Sequence, residues 1–334
     1  MSNKSRIWTR IDFNADGKHN DYLWVSHSSN SSAYGCILVP VICIRNGDGP
    51  TALLTAGNHG DEYEGQVALI RLARELNPED VRGRVIIIPA LNFPAVDAGR
   101  RVSPIDNGNL NRVFPGLANG TPTEMIAHYV DSVLFPQCDL VIDLHSGGRS
   151  LEYTPCALAR HSPDPEHSRR VSDLLEVFGA PVSILTDGAG GGAATTLYAA
   201  ASARGIPAIT TELGGGATLT QPGLTIAEQG TRRVLKHYGI TPDGQADLGA
   251  PLRLFNSGGP GRAIYATERG LFEPIAAVGQ DVSAGQLAGY IHSHEKPLQA
   301  PIRLCFPADG MVSCRRFPTL TMPGDCLFNL ANAL

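Results

Sequence analysis

From residue 36 to about 239, short apolar runs alternate with stretches in which apolar positions recur every three or four residues. The runs predict strands over 36–44, 51–56, 84–89, 140–144, 182–185 and 208–212. The longer periodic stretches predict helices over 62–76, 123–135, 165–178, 194–204 and 221–238. Such alternation builds an α/β fold: a mostly parallel, mixed sheet flanked by helices, with ligands bound beyond the carboxyl ends of the strands. After Tyr238 the helical periodicity stops, and residues 239–249, rich in Gly, Pro and Asp, read as a linker. From Gly270 onward, short runs divided by Gly-Asp and Asp-Gly turns predict a small β sandwich or barrel. Two domains are therefore expected, 1–240 with its first ~30 residues peripheral, and an all-β domain over 250–334.

The strand pattern puts three metal-ligand residues at strand ends. His59 and Glu62 stand three apart directly after the run 51–56, among Gly57, Gly60 and Gly65. If the chain turns into a helix at Asp61, both side chains converge on one ion while the glycines allow the bend. His145 ends the run 140–144 and opens Ser146-Gly147-Gly148, so it is the natural third ligand. Three protein ligands leave a fourth tetrahedral position open, which marks a catalytic zinc site. An isolated HxxE arises often by chance, and its weight here comes from the glycines and the second strand end. His19, His27, His128, His161, His167 and His237 lack a second ligand at useful spacing. His292 and His294 share a strand face but have no carboxylate at ligand spacing, and read as a solvated strand end.

Glu212 closes the run 208–212 and precedes Leu213-Gly214-Gly215-Gly216. Alone it would be an ordinary salt-bridge partner; beside a metal site it becomes the general base that takes a proton from water and passes it to a leaving amine. Residues 99–116 form a long loop containing Arg100, Arg101 and Arg112. Asn111 and Arg112 offer an amide and a planar fork for a substrate carboxylate, and Arg101 suits an oxyanion. Solvated surface arginines are the plainer alternative, disfavoured by the position of the pair between two ligand motifs.

Composition narrows the function classes. With 43% apolar and 18% charged residues and a net charge of −5, the chain has no basic footprint for nucleic acid. The most apolar stretch, 36–44, is too short to span a bilayer, and the first residues lack a signal peptide's apolar core, so a cytoplasmic location is expected. Seven scattered cysteines show no CxxC spacing; Cys36, Cys43 and Cys138 read as small hydrophobes in apolar runs.

The run GNHGDEYEG, the RxxPxD…NLNRVFPG loop, DLHSGG and TELGGG together resemble the succinylglutamate desuccinylase and aspartoacylase family, relatives of the zinc carboxypeptidases. The likeness covers roughly residues 30–334. It implies zinc held by His59, Glu62 and His145, Glu212 as general acid and base, Asn111 and Arg112 on the substrate's α-carboxylate, and Arg101 on the scissile carbonyl. The loop spacing leaves open whether Arg100 or Arg101 reaches the metal. The implied reaction is hydrolysis of a small N-acyl amino acid by a cytoplasmic enzyme with one Zn²⁺ per subunit, self-association into a homo-oligomer being left open. A carboxypeptidase-type peptidase is the runner-up, and a non-catalytic binding module is disfavoured by the full ligand set. A substrate carrying an ammonium group would need a partner such as Glu152 or Asp187. The C-terminal segment resembles biotinyl and lipoyl carrier domains but has Asp309-Gly310-Met311 where a carrier bears its lysine, which makes it a scaffold or substrate-shaping domain.

Overall fold

The computed structural model describes residues 4–188, 194–242, 253–257 and 260–334. The first part of the chain runs β1 (Gly17–Ser26), β2 (Cys36–Asn46), β3 (Thr51–Ala56), α1 (Glu64–Glu75), β4 (Gly83–Ile88), α2 (Phe93–Asp97), α3 (Pro122–Tyr129) and β5 (Leu140–Leu144). It continues with β6 (Leu151–Tyr153), β7 (Cys156–Arg160), α4 (Pro165–Phe178), β8 (Val182–Thr186), α5 (Leu197–Ala203), β9 (Ala208–Glu212) and α6 (Gln221–His237). Strands β3, β4 and β5 are buried along their whole length, as continuous apolar runs covered on both faces must be. Consecutive residues serve opposite faces: Leu53, Ile86 and Val141 pack toward α3 and α5, while Leu54, Ile87 and Ile142 pack toward α1, α4 and α6.

Local chemistry sets the helix ends. Asp164 caps α4 by accepting from Glu166 N, Pro165 follows, and Gly179 closes the helix at φ 66°. Thr121 and Glu124 form a reciprocal capping box at the start of α3. The chain leaves that helix at Tyr129 through a wider turn over Val130–Leu134, inside the segment expected to be one helix. Helix α1 begins at Glu64 rather than at 61 or 62, so His59 and Glu62 lie in the loop before it.

The sheet is mixed. Its order is β1-β2-β4-β3-β5-β9-β7-β8 and then β10 (Leu254–Ser257), which runs parallel to β8. Parallel pairing joins β4, β3, β5 and β9, whereas β7 runs antiparallel to β9 and parallel to β8, so the direction reverses between β9 and β7. Neither β1 nor β7 is visible as an apolar run. β1 exposes every second residue over most of its length, and β7 is short and without β-branched residues.

The remaining strands are β11 (Ala263–Tyr265), β12 (Gly270–Pro274), β13 (Asp281–Val282), β14 (Leu287–His292), β15 (Ile302–Cys305), β16 (Gly310–Arg316), β17 (Leu320–Thr321) and β18 (Cys326–Ala333). They form two antiparallel layers. One, β15-β14-β12-β17, is separate; the other continues the large sheet as β10-β18-β16-β13, with β11 on β18 and β6 on β16. Phe272, Phe306 and Phe328 meet edge to face in the core between them. The expected all-β character of this part is what the structure shows, while the linker expected over 239–249 lies outside the described residues from 243 on. No helix among the described residues is long and apolar enough to cross a membrane.

The loop between β3 and α1 is pressed against α2: a Cβ on Gly60 would lie 1.9 Å from the Ala95 carbonyl oxygen. Gly60→Ala is therefore expected to destabilise the protein by about 1–3 kcal/mol through forced backbone displacement. Urea denaturation checks this, and an unchanged midpoint would show that the loop has room to move.

Candidate metal centre and active-site cleft

Glu62 joins the two strand ends. Its Oε1 lies 2.7 Å from His59 Nδ1 and its Oε2 lies 2.8 Å from His145 Nδ1. All three residues are buried, and their ligand atoms lie within 4.8 Å of one another. The backbone is held as firmly. Gly57 takes φ 69° where β3 ends, and Gln66 Nε2 donates to the Glu62 carbonyl at 2.7 Å. The Thr211 hydroxyl accepts from His145 N and donates to His145 O, so β9 fixes the end of β5. Ser146 N completes the set by donating to Glu62 Oε2.

The outer imidazole nitrogens also have partners. His59 Nε2 meets Asn109 Oδ1 at 3.1 Å and His145 Nε2 meets Asp143 Oδ2 at 2.9 Å. With a metal ion bound, acceptors there would keep the proton on Nε2 and leave Nδ1 free to ligate, the arrangement that supports metal-bound histidine. Asp143 is itself held by Thr55 Oγ1 at 2.6 Å and Asn58 Nδ2 at 3.2 Å. Burial drives His59 below the usual imidazole value against the pull of Glu62. His145 goes the other way: burial opposes its charge, but Asp143 and Glu62 outweigh it. Glu62 is held far below the usual carboxylate range by both imidazoles despite its burial. The centre thus draws positive charge inward, and two nitrogens with one carboxylate form a donor set that suits a borderline divalent cation with one position open. Among the described residues this is the one such group of His, Cys, Asp or Glu. Several other histidines engage elsewhere, among them His237 with Asp173 and His292 with Glu273.

Beside this centre opens a cleft of about 400 Å³ lined by His59, Arg101, Asn111, Arg112, His145, Tyr153, Tyr198 and Glu212 among others. Arg101 leans over the centre, with Nη1 3.3 Å from His59 Nδ1 and 3.6 Å from Glu62 Oε1. Arg100 is exposed and contributes its carbonyl, which accepts from Gly60 N. Asn111 Oδ1 accepts from Leu197 N at the start of α5, and Arg112 Nη1 donates to the Asn111 carbonyl at 2.7 Å. Among the described residues no carboxylate pairs with Arg112; burial and the neighbouring Arg101 charge pull its guanidinium below its usual value. Burial, reinforced by the Glu62 charge, pushes Glu212 well up, partly offset by His145, Arg101 and Arg112. Its Oε2 is enclosed without a hydrogen-bond partner.

Polar braces outside the cleft hold these loops. Asp106 accepts from Gly108 N, Thr123 N and Thr123 Oγ1, tying the arginine loop to α3. Glu64 Oε1 accepts from Thr220 N and Oγ1, pinning the glycine loop after Glu212 to α1. Gly215 fits where it does because a Cβ would lie 1.8 Å from the Leu151 carbonyl oxygen. The sequence reading assigned no role to Asn109 or Asp143. Both were within its reach, since each stands two residues from a residue already singled out. Glu152 is bound by Arg315 at 2.7 Å, and Asp187 is exposed; neither lines the cleft.

A family model described as the succinylglutamate desuccinylase/aspartoacylase catalytic domain matches residues 48–238. The chain belongs to this family. The N-alpha-acetyl-L-2,4-diaminobutyric acid deacetylase of Halomonas elongata is 40% identical over 330 residues, 99% of this chain and 96% of that protein. Among solved structures, the product-bound ectoine utilization protein EutE (DoeB) of Ruegeria pomeroyi is 39% identical with a TM-score of 0.94, covering 98% of this chain and 99% of its own. A succinylglutamate desuccinylase/aspartoacylase of Rhodobacter sphaeroides is 37% identical with a TM-score of 0.93, covering 99% of both chains. The aspartoacylase-type sheet and its C-terminal β strands are therefore shared over nearly the whole chain.

If the three residues form a metal centre, His145→Ala is expected to remove most bound divalent cation. Asp143→Asn, which keeps the shape but weakens the acceptor behind His145, is expected to lower affinity about 10–100-fold. Chelator competition on the purified protein measures both, and normal cation content in the alanine variant would dismiss the centre.

Proposed function

We propose that this protein is a zinc-dependent amidohydrolase that cleaves the amide of an N-acyl amino acid, with N-α-acetyl-L-2,4-diaminobutyrate in ectoine catabolism as its substrate. The observation that carries the proposal is the convergence of His59, Glu62 and His145 with Glu212, Arg101 and Arg112 in one cleft. The choice of substrate rests on the names borne by the Halomonas and Ruegeria relatives.

His59, Glu62 and His145 would hold the zinc ion. When bound, zinc supplies Lewis-acid polarisation of a carbonyl and makes a water nucleophilic near neutral pH. Arg112, unpaired by any described carboxylate, takes the substrate's α-carboxylate through its planar fork, with the Asn111 amide beside it. This sets the scissile carbonyl toward Arg101, whose guanidinium stabilises the developing oxyanion. Glu212 accepts the proton of the attacking water and delivers it to the departing amine. A carboxylate raised by burial suits both tasks, because its proton affinity lies nearer neutrality. A polar cleft of about 400 Å³ suits a small acyl amino acid and favours this reaction over peptide hydrolysis.

The organisation proposed with this function is a zinc-carboxypeptidase-like catalytic domain over 1–240 and a biotinyl/lipoyl-like barrel-sandwich domain over 250–334. Two antiparallel layers closing on Phe272, Phe306 and Phe328 support the latter.

Glu212→Gln is expected to lower kcat by about 10²-fold or more with metal content unchanged, since general acid–base catalysis is typically worth that much. Steady-state deacylation beside metal analysis tests it, and wild-type turnover would exclude the role. Arg112→Lys keeps the charge and loses the fork. It should cost about 1.5–3 kcal/mol in kcat/KM on N-acyl amino acids and little on the same compounds with the α-carboxylate blocked as an amide. Equal losses on both would place Arg112 at the reacting carbonyl instead.

A further inference from the structure

The chemistry above leaves a phenol in the cleft without a task. Tyr153 and Leu151 share one face of β6, and both line the opening, as do Ser313 and Asn329 from β16 and β18. β6 is firmly held: Tyr153 N donates to Gly214 O at 3.0 Å, Thr154 N donates to Ser313 O at 3.0 Å, and Glu152, on the opposite face, pairs with Arg315. These bonds set Tyr153 beside the residue assigned as general base. Gly214 stands two residues after Glu212, and Cys156, three residues after Tyr153, is the cross-strand partner of Glu212.

The hydroxyl is within a ligand's reach. Tyr153 is partly exposed, and its oxygen is absent from the enclosed, partnerless atoms of the cleft, which belong to Ser146, Thr196, Glu212 and Asn329. Cys314, directly opposite on β16, offers its sulfur to the hydroxyl proton, so the oxygen lone pairs are left for the cleft. Burial, with Cys314 and Glu212 adding to it, pushes the phenol well above its usual value and keeps it neutral. The Arg112 guanidinium feels the same phenol, which therefore lies within electrostatic range both of the group assigned to the substrate's carboxylate and of the group assigned to proton transfer.

We propose that Tyr153 is a further catalytic residue, whose phenol oxygen accepts the N–H of the scissile amide and holds that nitrogen toward Glu212. The inference rests on the amide hydrolysis proposed above. With the acyl carbonyl at the metal centre and the α-carboxylate on Arg112, the amide nitrogen sits in the substrate between the two, where Glu212 must deliver its proton. A buried amide N–H without an acceptor is costly, and Glu212 is committed to the water. An N–H fixed on the phenol keeps the nitrogen lone pair, which forms as the carbonyl carbon turns tetrahedral, aimed at Glu212.

The test compares kcat/KM on N-α-acetyl-L-2,4-diaminobutyrate with that on the ester in which oxygen replaces its α-nitrogen, so that no N–H is present. The amide-to-ester ratio within one preparation does not depend on the fraction folded or metal-loaded. Tyr153→Phe removes the oxygen and keeps the ring. It is expected to lower the ratio about tenfold, the scale of one hydrogen bond, with bound metal and the acid limb of the pH–rate profile unchanged. An unchanged ratio overturns the role, and so does an equal fall on amide and ester. A lowered ratio that comes with a displaced acid limb shows Tyr153 acting through Glu212 and overturns its contact with the amide. Wild-type protein that hydrolyses neither compound overturns the proposed amide hydrolysis and this role with it.

Discussion

The Glu62 carboxylate is buried, charged and shared, with one oxygen turned to His59 and the other to His145. An ion so placed costs several kcal/mol unless nearly every lone pair is met, and here two imidazoles, Ser146 N and the Arg101 guanidinium meet them. Each of those groups must then be delivered to a fixed point by its own segment. The β3–α1 loop, the end of β5 and the arginine loop are shaped by one requirement, that this carboxylate not be left uncompensated.

The same logic repeats at a distance from the cleft. Asp106 and Glu64 are carboxylates spent on backbone and hydroxyl donors, and they anchor the arginine loop and the glycine loop. Helix α1 therefore serves the site from both ends of a short segment: Glu62 faces the centre just before the helix, and Glu64 holds the loop that follows Glu212. Acidic braces behind and cationic groups in front give the cleft a direction, one in which the proposed anionic substrate would enter against Arg101 and Arg112 while positive charge is drawn toward Glu62 and Asp143.

Much of this was legible in the sequence, because strand ends are marked by apolar runs and glycines. His59, Glu62, His145 and Glu212 each follow such a run, and the structure sets all four around one opening. Sequence periodicity could not show which arginine leans inward, since Arg100 and Arg101 differ only in the path of a loop tied by Gly60 N to the Arg100 carbonyl. β1 escaped notice because alternate exposure dilutes its apolar signal, and β7 because Cys-Ala-Leu-Ala-Arg resembles a fragment of helix. The C-terminal strands were visible as strands, but their union with the large sheet depends on the pairing of β10 with β8 and β18, which no local pattern encodes.

That union has a consequence for how the molecule comes into being. β18 is far downstream of β8, yet β10 alone separates the two in the sheet, and β6, which follows His145 closely, waits for β16 to complete its ladder. Contacts this remote in sequence form late, after a large loop-closure cost has been met. On a ribosome, His59, Glu62, His145 and Glu212 all emerge while the wall carrying Ser313 and Asn329 is still unmade. The chain thus builds its reactive centre before the enclosure around it, and until the C-terminal strands dock, the open edge of β8 is a strand in search of a neighbour.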